Sequence, residues 1–251
     1  MSDTVSRFSN RVANYVKYRP GYPDEMFAVF RDAMNWTKDS IVADIGSGPG
    51  ISAKPFLERG NQVYGVEPNE AMRAAAEELM SGYPKFVSIN GTAENTTLPD
   101  DSVDLVIAAQ AFHWFDPGRA QFEFARIARP KGFLALIWNE RRLDADEFHV
   151  EYESFLKRYA NDYETVRHDK LDTAVLSRFF AKPFAQASFP NAQILDLQGL
   201  RGRALSSSYM PSEDDERLPR LESDLKSLFD KYAENGRIQV SYQTNIFYIR
   251  L

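Results

Sequence analysis

Three glycines at alternate positions, Gly46, Gly48 and Gly50, follow a short apolar run, Ile41–Ile45, that carries Asp44 within it. Residues without a Cβ let a backbone turn tightly and pass very close to a ligand. Glu67 stands 21 positions beyond Gly46, at the end of a second apolar run, Gln62–Val66. A carboxylate at that place accepts hydrogen bonds from both ribose hydroxyls of an adenosine. Position 51 is Ile, so the full Gly-x-Gly-x-x-Gly dinucleotide fingerprint is absent. The glycine loop alone is a weak signal. The loop, the acid and the strand context together are stronger than the competing picture of a tight turn beside a solvated strand end.

Other chemistry is sparse. His113, in the run Gln110–Asp116 (QAFHWFD), is the one histidine near the expected site. Its near-neutral pKa suits a general base, while shaping a pocket or binding an acceptor asks less of it. Trp114, Phe112 and Phe115 form an aromatic cluster beside it. Arg141 and Arg142 can bind an acidic acceptor through charge-assisted hydrogen bonds, pair with the acids at 144–147, or face solvent. Arg201 and Arg203 read as solvated surface. The chain has no cysteine, which excludes disulfides, thiolate metal sites and cysteine nucleophiles. His113, His149 and His168 are too scattered for a dedicated zinc site. The net charge of -6 argues against a general nucleic-acid surface. No apolar run approaches the roughly 18 residues of a membrane helix. Met1–Tyr18 is polar and lacks the apolar core of a signal peptide, and a cytoplasmic protein is expected.

These residues need a scaffold, and the pattern supplies one. Strands are predicted at Ile41–Ile45, Gln62–Val66, Phe86–Asn90, Val103–Ala108 and Phe133–Asn139. Helices are predicted at Asp24–Met34, after Gly50 to about Arg59, at Glu70–Met80 and at Pro117–Ala128. Ala71, Met72, Ala75 and Leu79 form the expected apolar face of the third helix. Alternation with short connections means an α/β fold, a Rossmann-like doubly wound, mostly parallel sheet with an antiparallel C-terminal strand and a helical insertion. Its ligands bind at the carboxyl ends of the strands. Residues 140–190 read as helical without a clear strand, and the aromatic stripe Phe148, Tyr152, Phe155 and Tyr159 reads as the packing face of a lid. Ala192–Leu197 and Ile238–Ile249 read as strands, Gly199–Pro219 as loop or short helix, and Arg217–Asn235 as an amphipathic helix. Tyr242, Phe247 and Tyr248 are assigned to sheet core. One domain over 1–251 is expected, with a covering N-terminal segment (1–35), a core (36–140), the insertion (140–190) and C-terminal strands completing the sheet (191–251).

Ile41–Gly50 (IVADIGSGPG), Gly65–Pro68 (GVEP), Gly91–Glu94 (GTAE) and QAFHWFD resemble the successive motifs of class I S-adenosylmethionine-dependent methyltransferases, in the small-molecule branch that includes methyltransferase type 11 domain proteins. Tyr15–Pro23 (YVKYRPGYP) is similar to the segment preceding the fold in one branch, and the chain also resembles the trans-aconitate and ubiquinone-biosynthesis methyltransferases. The specific resemblance covers about residues 8–140. It implies that Asp44, Gly46, Ser47, Gly48 and Gly50 lie by the methionine part of S-adenosylmethionine. It implies Glu67 on the ribose and Pro68, Met72, Thr92, Ala93 and Glu94 around the adenine. Gln110, Ala111, His113 and Trp114 would line the cavity after the fourth strand, and Tyr15, Tyr18 and Arg19 would close over the cofactor. Tyr15, His113, Trp114, Arg141 and Arg142 are the candidate acceptor residues. Pro49 departs from many relatives and stiffens the loop.

The resemblance implies in-line methyl transfer to a small-molecule acceptor, with S-adenosylhomocysteine as product. Positioning supplies much of the rate, and His113 acts as a base only if the acceptor must lose a proton. The motifs leave two alternatives open. One is a non-catalytic S-adenosylmethionine-binding module. The other is a nicotinamide-dependent oxidoreductase, disfavoured by Ile51 and by the long C-terminal strand. No nucleic-acid or membrane partner is expected, and neither the acceptor nor the oligomeric state is readable.

Overall fold

Apolar residues at every second position along the central strands build a core on each side of one sheet. The computed structural model describes residues 12–161, 163 and 173–251. Five strands run parallel: β1 (Ile41–Ile45), β2 (Gln62–Val66), β3 (Phe86–Ile89), β4 (Val103–Ala109) and β5 (Ala128–Arg141). β6 (Ala185–Leu195) and β7 (Ile238–Arg250) complete the order β3-β2-β1-β4-β5-β7-β6. β7 lies antiparallel to both β5 and β6. This is the expected mostly parallel Rossmann-like sheet. Its order reverses between β1 and β4, which opens a crevice at their carboxyl ends.

The period-2 pattern sorts the core. Leu105 and Ile107 of β4, and Ala135 and Ile137 of β5, face a layer built on Phe30 of α2 (Met26–Met34) and Phe56 of α3 (Ala53–Glu58). Val106, Ala108, Leu134 and Leu136 face the opposite layer. There Phe124 of α5 (Pro117–Ile127) packs with Phe179 of α7 (Thr173–Phe180). α4 (Glu70–Leu79) lies beside β3. Phe30, Phe56 and Phe124 are fully buried. Each contributes roughly 1.5–3 kcal/mol through removal of its ring from water.

A third core gathers the helices outside the sheet. The aromatic stripe of α6 (Glu147–Tyr159) packs on α8 (Leu197–Leu205) and α9 (Leu218–Tyr232). Phe148, Tyr152, Phe155 and Tyr159 are all buried there, as the stripe predicts. α1 (Val12–Tyr18) docks on α8. A Cβ on Gly202 would lie 2.1 Å from the Tyr18 ring, so the absence of a side chain permits the close approach. Gly202→Ala is expected to lower stability by about 1–3 kcal/mol through overpacking. Thermal denaturation checks this, and an unchanged midpoint would show that Tyr18 swings aside freely.

Several boundaries differ from the sequence reading. β5 starts at Ala128 and runs on to Arg141, and β6 begins at Ala185, inside the stretch read as helical. β6 is an edge strand of mostly small and polar residues. Its burial alternates only between half-buried and exposed, with Asn191 and Gln193 on the inner side and Ile194 exposed, so residue type does not follow the period, and an edge tolerates Pro190. Of the stretch Gly199–Pro219, read as loop or short helix, the first part takes the helical alternative as α8, which begins at Leu197. Leu79 is 44 % exposed, and Ala76 takes the buried place on α4. Residues 1–11 of the expected covering segment, and His168 with its neighbours 164–172 of the expected lid, lie outside the described residues.

Candidate active site

The glycine loop is anchored on β2. Gly46 and Ser47 both donate their N–H to the Val66 carbonyl, at 2.8 and 3.2 Å. Gly46 has φ 68°, a left-handed conformation, and a Cβ there would meet the Ala111 Cβ at 2.6 Å. Glycine is thus required both by conformation and by space. The loop is also tied to the acid predicted from spacing. Glu67 Oε2 accepts the Gly48 N–H at 3.0 Å, and Oε1 accepts the Asn69 N–H at 2.8 Å. Burial raises the Glu67 pKa above its ordinary value, while these two N–H groups and Arg73 oppose the shift.

Asp44 is fully buried in β1. Ser52 donates its hydroxyl to Oδ2 at 2.6 Å, while Oδ1 has no hydrogen-bond partner among the described residues. Burial pushes its pKa up to about 7; the Ser52 hydroxyl opposes this and the nearby Glu67 charge adds to it. An under-satisfied buried carboxylate oxygen is costly unless a ligand donor meets it.

Two adjoining cavities open beside these groups; Asp44 itself, fully buried, lines neither, while its partner Ser52 lines the second. Glu67, Pro68, Met72, Thr92, Ala93, Glu94 and Ala111 line the first. Arg19, Ser47 and His113 line the second, with Trp138 of β5 and Arg141 at its end. Tyr15, Gly46, Gly48, Gln110 and Trp114 form the wall that both share. Gln110 has φ 56°, uncommon for a residue with a side chain. Its backbone N–H donates to the Ile137 carbonyl at 3.0 Å, and its amide donates to the Asn139 carbonyl at 2.9 Å. Both bonds pin this turn to β5. Glu94 accepts the Asp116 N–H at 2.8 Å, and Asp116 caps α5 by accepting the Arg119 N–H. His113 lies 5.3 Å from the Trp138 ring, nearly edge-on, and 4.4 Å from that of Trp114.

Not every predicted residue faces these cavities. Tyr18 packs on Gly202 and lines neither. Gly50 faces Met80 and Ala76 behind the loop and also lines neither. Arg142 is exposed, and its backbone N–H donates to the Ser241 carbonyl. Arg141 does line the second cavity. Its partners are Glu153 at 2.5 Å and the Tyr163 hydroxyl at 3.2 Å, not the acids at 144–147. His149 is structural. Its Nδ1 bonds Asp146 at 2.7 Å, and its Nε2 accepts the Ser241 N–H at 2.9 Å.

The sequence reading missed lining residues of both cavities. Asn69, Asp116 and Arg119 contribute to the first, and Tyr22, Asn139, Arg203 and Tyr209 to the second. Arg203, taken for a solvated residue, is only 8 % exposed. Tyr242, assigned to sheet core, is buried in the third core instead, where its hydroxyl accepts from Arg203 Nε at 2.9 Å. The available signal was Arg203 lying between Gly202 and Ala204 on a helix, where small neighbours allow another element close.

Known proteins resemble the chain in sequence and in fold. A methyltransferase domain family matches residues 43–136. An uncharacterized methyltransferase of Mycobacterium tuberculosis is 40 % identical over 142 residues, 55 % of this chain and 54 % of the relative. The chain thus spans about half the length of that relative. An uncharacterized methyltransferase-like protein of Schizosaccharomyces pombe is 27 % identical over 247 residues, covering 97 % of this chain and 94 % of the relative. Among solved structures, a candidate type II methyltransferase of Anaeromyxobacter dehalogenans aligns with a TM-score of 0.68 at 23 % identity, over 93 % of this chain and 98 % of that one. The YcgJ protein of Bacillus subtilis aligns with a TM-score of 0.56 at 21 % identity, over 91 % and 98 %. These two likenesses bear on the fold.

Proposed function

We propose that this chain is a class I S-adenosylmethionine-dependent methyltransferase and transfers a methyl group from S-adenosylmethionine to a small-molecule acceptor by in-line displacement. The observation that carries the reading is the pairing of two carboxylates at the carboxyl ends of β1 and β2. Asp44 keeps one oxygen without a partner among the described residues. Each oxygen of Glu67 accepts one backbone N–H and keeps a lone pair for a further donor. A ligand with a cationic amino-acid end and a vicinal diol fits that donor demand.

Glu67 would hold the ribose, and Pro68, Met72, Thr92, Ala93 and Glu94 the adenine. Asp44 and the Gly46–Gly48 loop would hold the amino-acid end, with Arg19 and Tyr15 over it. Gly50 serves by shaping the loop from behind. When bound, the cofactor supplies a methyl group on a sulfonium, open to nucleophilic attack. The protein's own part is positioning: the shared wall of Tyr15, Gln110 and Trp114 aligns the contents of the two cavities. His113 orients the acceptor, or takes a proton from it where the nucleophile carries one. α8 and the turn after it, which bring Arg203 and Tyr209 to the second cavity, shield it from water.

Calorimetric titration with S-adenosylmethionine and S-adenosylhomocysteine, with NAD as control, tests the cofactor. Micromolar binding of the first two alone is expected. Glu67→Ala is expected to weaken that binding by on the order of 1–3 kcal/mol through lost hydrogen bonds. Unchanged affinity in the variant would remove the ribose from Glu67. Transfer of labelled methyl to an acceptor then separates an enzyme from a binding module.

A further inference from the structure

We infer that the acceptor carries a carboxylate, and that Arg203 is the residue that holds it. The inference rests on the proposed cofactor reading and extends it to the substrate class.

Three guanidinium groups, those of Arg19, Arg141 and Arg203, line the second cavity. Arg141 is neutralised by Glu153. Arg19 and Arg203 have no ion pair among the described residues. Arg203 Nε donates to the Tyr242 hydroxyl at 2.9 Å and Nη1 to the Ser207 hydroxyl at 3.2 Å, both neutral acceptors. Arg19 Nη2 donates to the Ser206 carbonyl at 2.9 Å, and its buried Nε has no partner among the described residues. Burying a charge without a counter-charge is strongly unfavourable. The two cations also repel: after burial itself, the Arg203 charge is the next cause lowering the pKa of Arg19. The fold therefore keeps two uncompensated positive charges in one partly desolvated chamber.

A charge balance divides them. The amino-acid end of the proposed cofactor brings an ammonium, which is matched to Asp44, and one carboxylate, which can neutralise one guanidinium. The second anion must come from the other occupant of the chamber. The Arg19 guanidinium lies 4.8 Å from the ring of Tyr15, which borders both cavities, and this puts Arg19 on the side of the cofactor. Arg203 borders the second cavity alone and is held from the helical third core by Tyr242 and Ser207. Arg19 is thus matched to the cofactor and Arg203 to the acceptor. The Arg203 guanidinium is also held ready: Tyr242, which accepts from it, donates in turn to Gln193 Oε1 at 2.8 Å. A fixed, planar fork suits a carboxylate.

The test is calorimetry on the whole protein. Titration with S-adenosylhomocysteine comes first, followed by succinate against succinamide and benzoate against benzamide, with and without saturating S-adenosylhomocysteine. The acids are expected to bind at least about tenfold more tightly than their amides. Arg203→Gln should lose that preference while its S-adenosylhomocysteine affinity stays within about threefold of wild type, which also reports that it folds. Arg203→Lys should keep part of the preference. Acids binding no better than amides, or Arg203→Gln keeping the preference, overturns the inference. A loss of S-adenosylhomocysteine affinity in Arg203→Gln as large as that in Arg19→Gln also overturns it, because Arg203 then belongs to the cofactor. Absence of S-adenosylhomocysteine binding in the wild type strikes the cofactor reading, and the acid–amide comparison without it still reads the anion site.

Discussion

Glu153→Ala is expected to lower folding stability by about 3–5 kcal/mol, the cost of leaving one buried charge without its partner. Glu153 and Arg141 meet at 2.5 Å with both side chains almost wholly out of water. The Tyr163 hydroxyl donates to the same Glu153 oxygen at 2.6 Å, so the acid also organises its neighbour. Removing it takes the carboxylate from the Arg141 guanidinium, and cation–π attraction to the Tyr152 ring, 5.4 Å away, recovers only part of the loss. Denaturant unfolding gives the number. Arg141→Met in the same background should restore much of the stability, because an apolar pair can replace a buried ion pair at little cost. A loss under about 1 kcal/mol in the single variant would mean that water reaches Arg141 from the cavity.

Asp44→Asn should raise stability and lower cofactor affinity together. The folded pKa of Asp44, about 7, lies above its ordinary value of 3.8. Between those pH values the folded chain holds a proton that the unfolded chain releases. Stability from this group is therefore greatest at acid pH, falls as pH rises through the window, and levels off above about 7. A carboxamide at this position does not titrate, so the variant should gain on the order of 1–3 kcal/mol at pH 8 and lose this pH slope. The ionised carboxylate is the form that attracts a cationic amino group. Wild-type affinity for S-adenosylhomocysteine should thus rise with pH through about 7, with proton release on binding below that. In Asp44→Asn it should be weak at every pH. A flat wild-type profile would detach Asp44 from the ligand.

What could be read beforehand follows the range of the forces involved. β1 to β4, the glycine loop and Glu67 are short-range features. A five-residue apolar run, a positive-φ turn and an acid at the next strand end define one another within a single strand–turn–helix unit. Tyr18 and Arg203 were misplaced for a common reason. Their positions are set by α1 meeting α8, a contact between residues far apart in sequence that hinges on a missing side chain at Gly202. Arg141 was found, but its partner was sought among neighbouring acids. The helical repeat of α6 presents Glu153 to it instead. β6 escaped because its alternation, between half-buried and exposed, is not written in residue type: Asn191 and Gln193 take inner positions and Ile194 an outer one.

The second cavity draws Tyr15 and Tyr209 to one place. On a ribosome, which delivers the chain from its N-terminus, the glycine loop and its sheet neighbours emerge early and can begin to collapse. The first helix must wait until α8 has been synthesised before it finds its berth. Nor can β5 gain its outer neighbour until β7, more than a hundred residues further on, is released. The second cavity is therefore assembled well after the glycine loop.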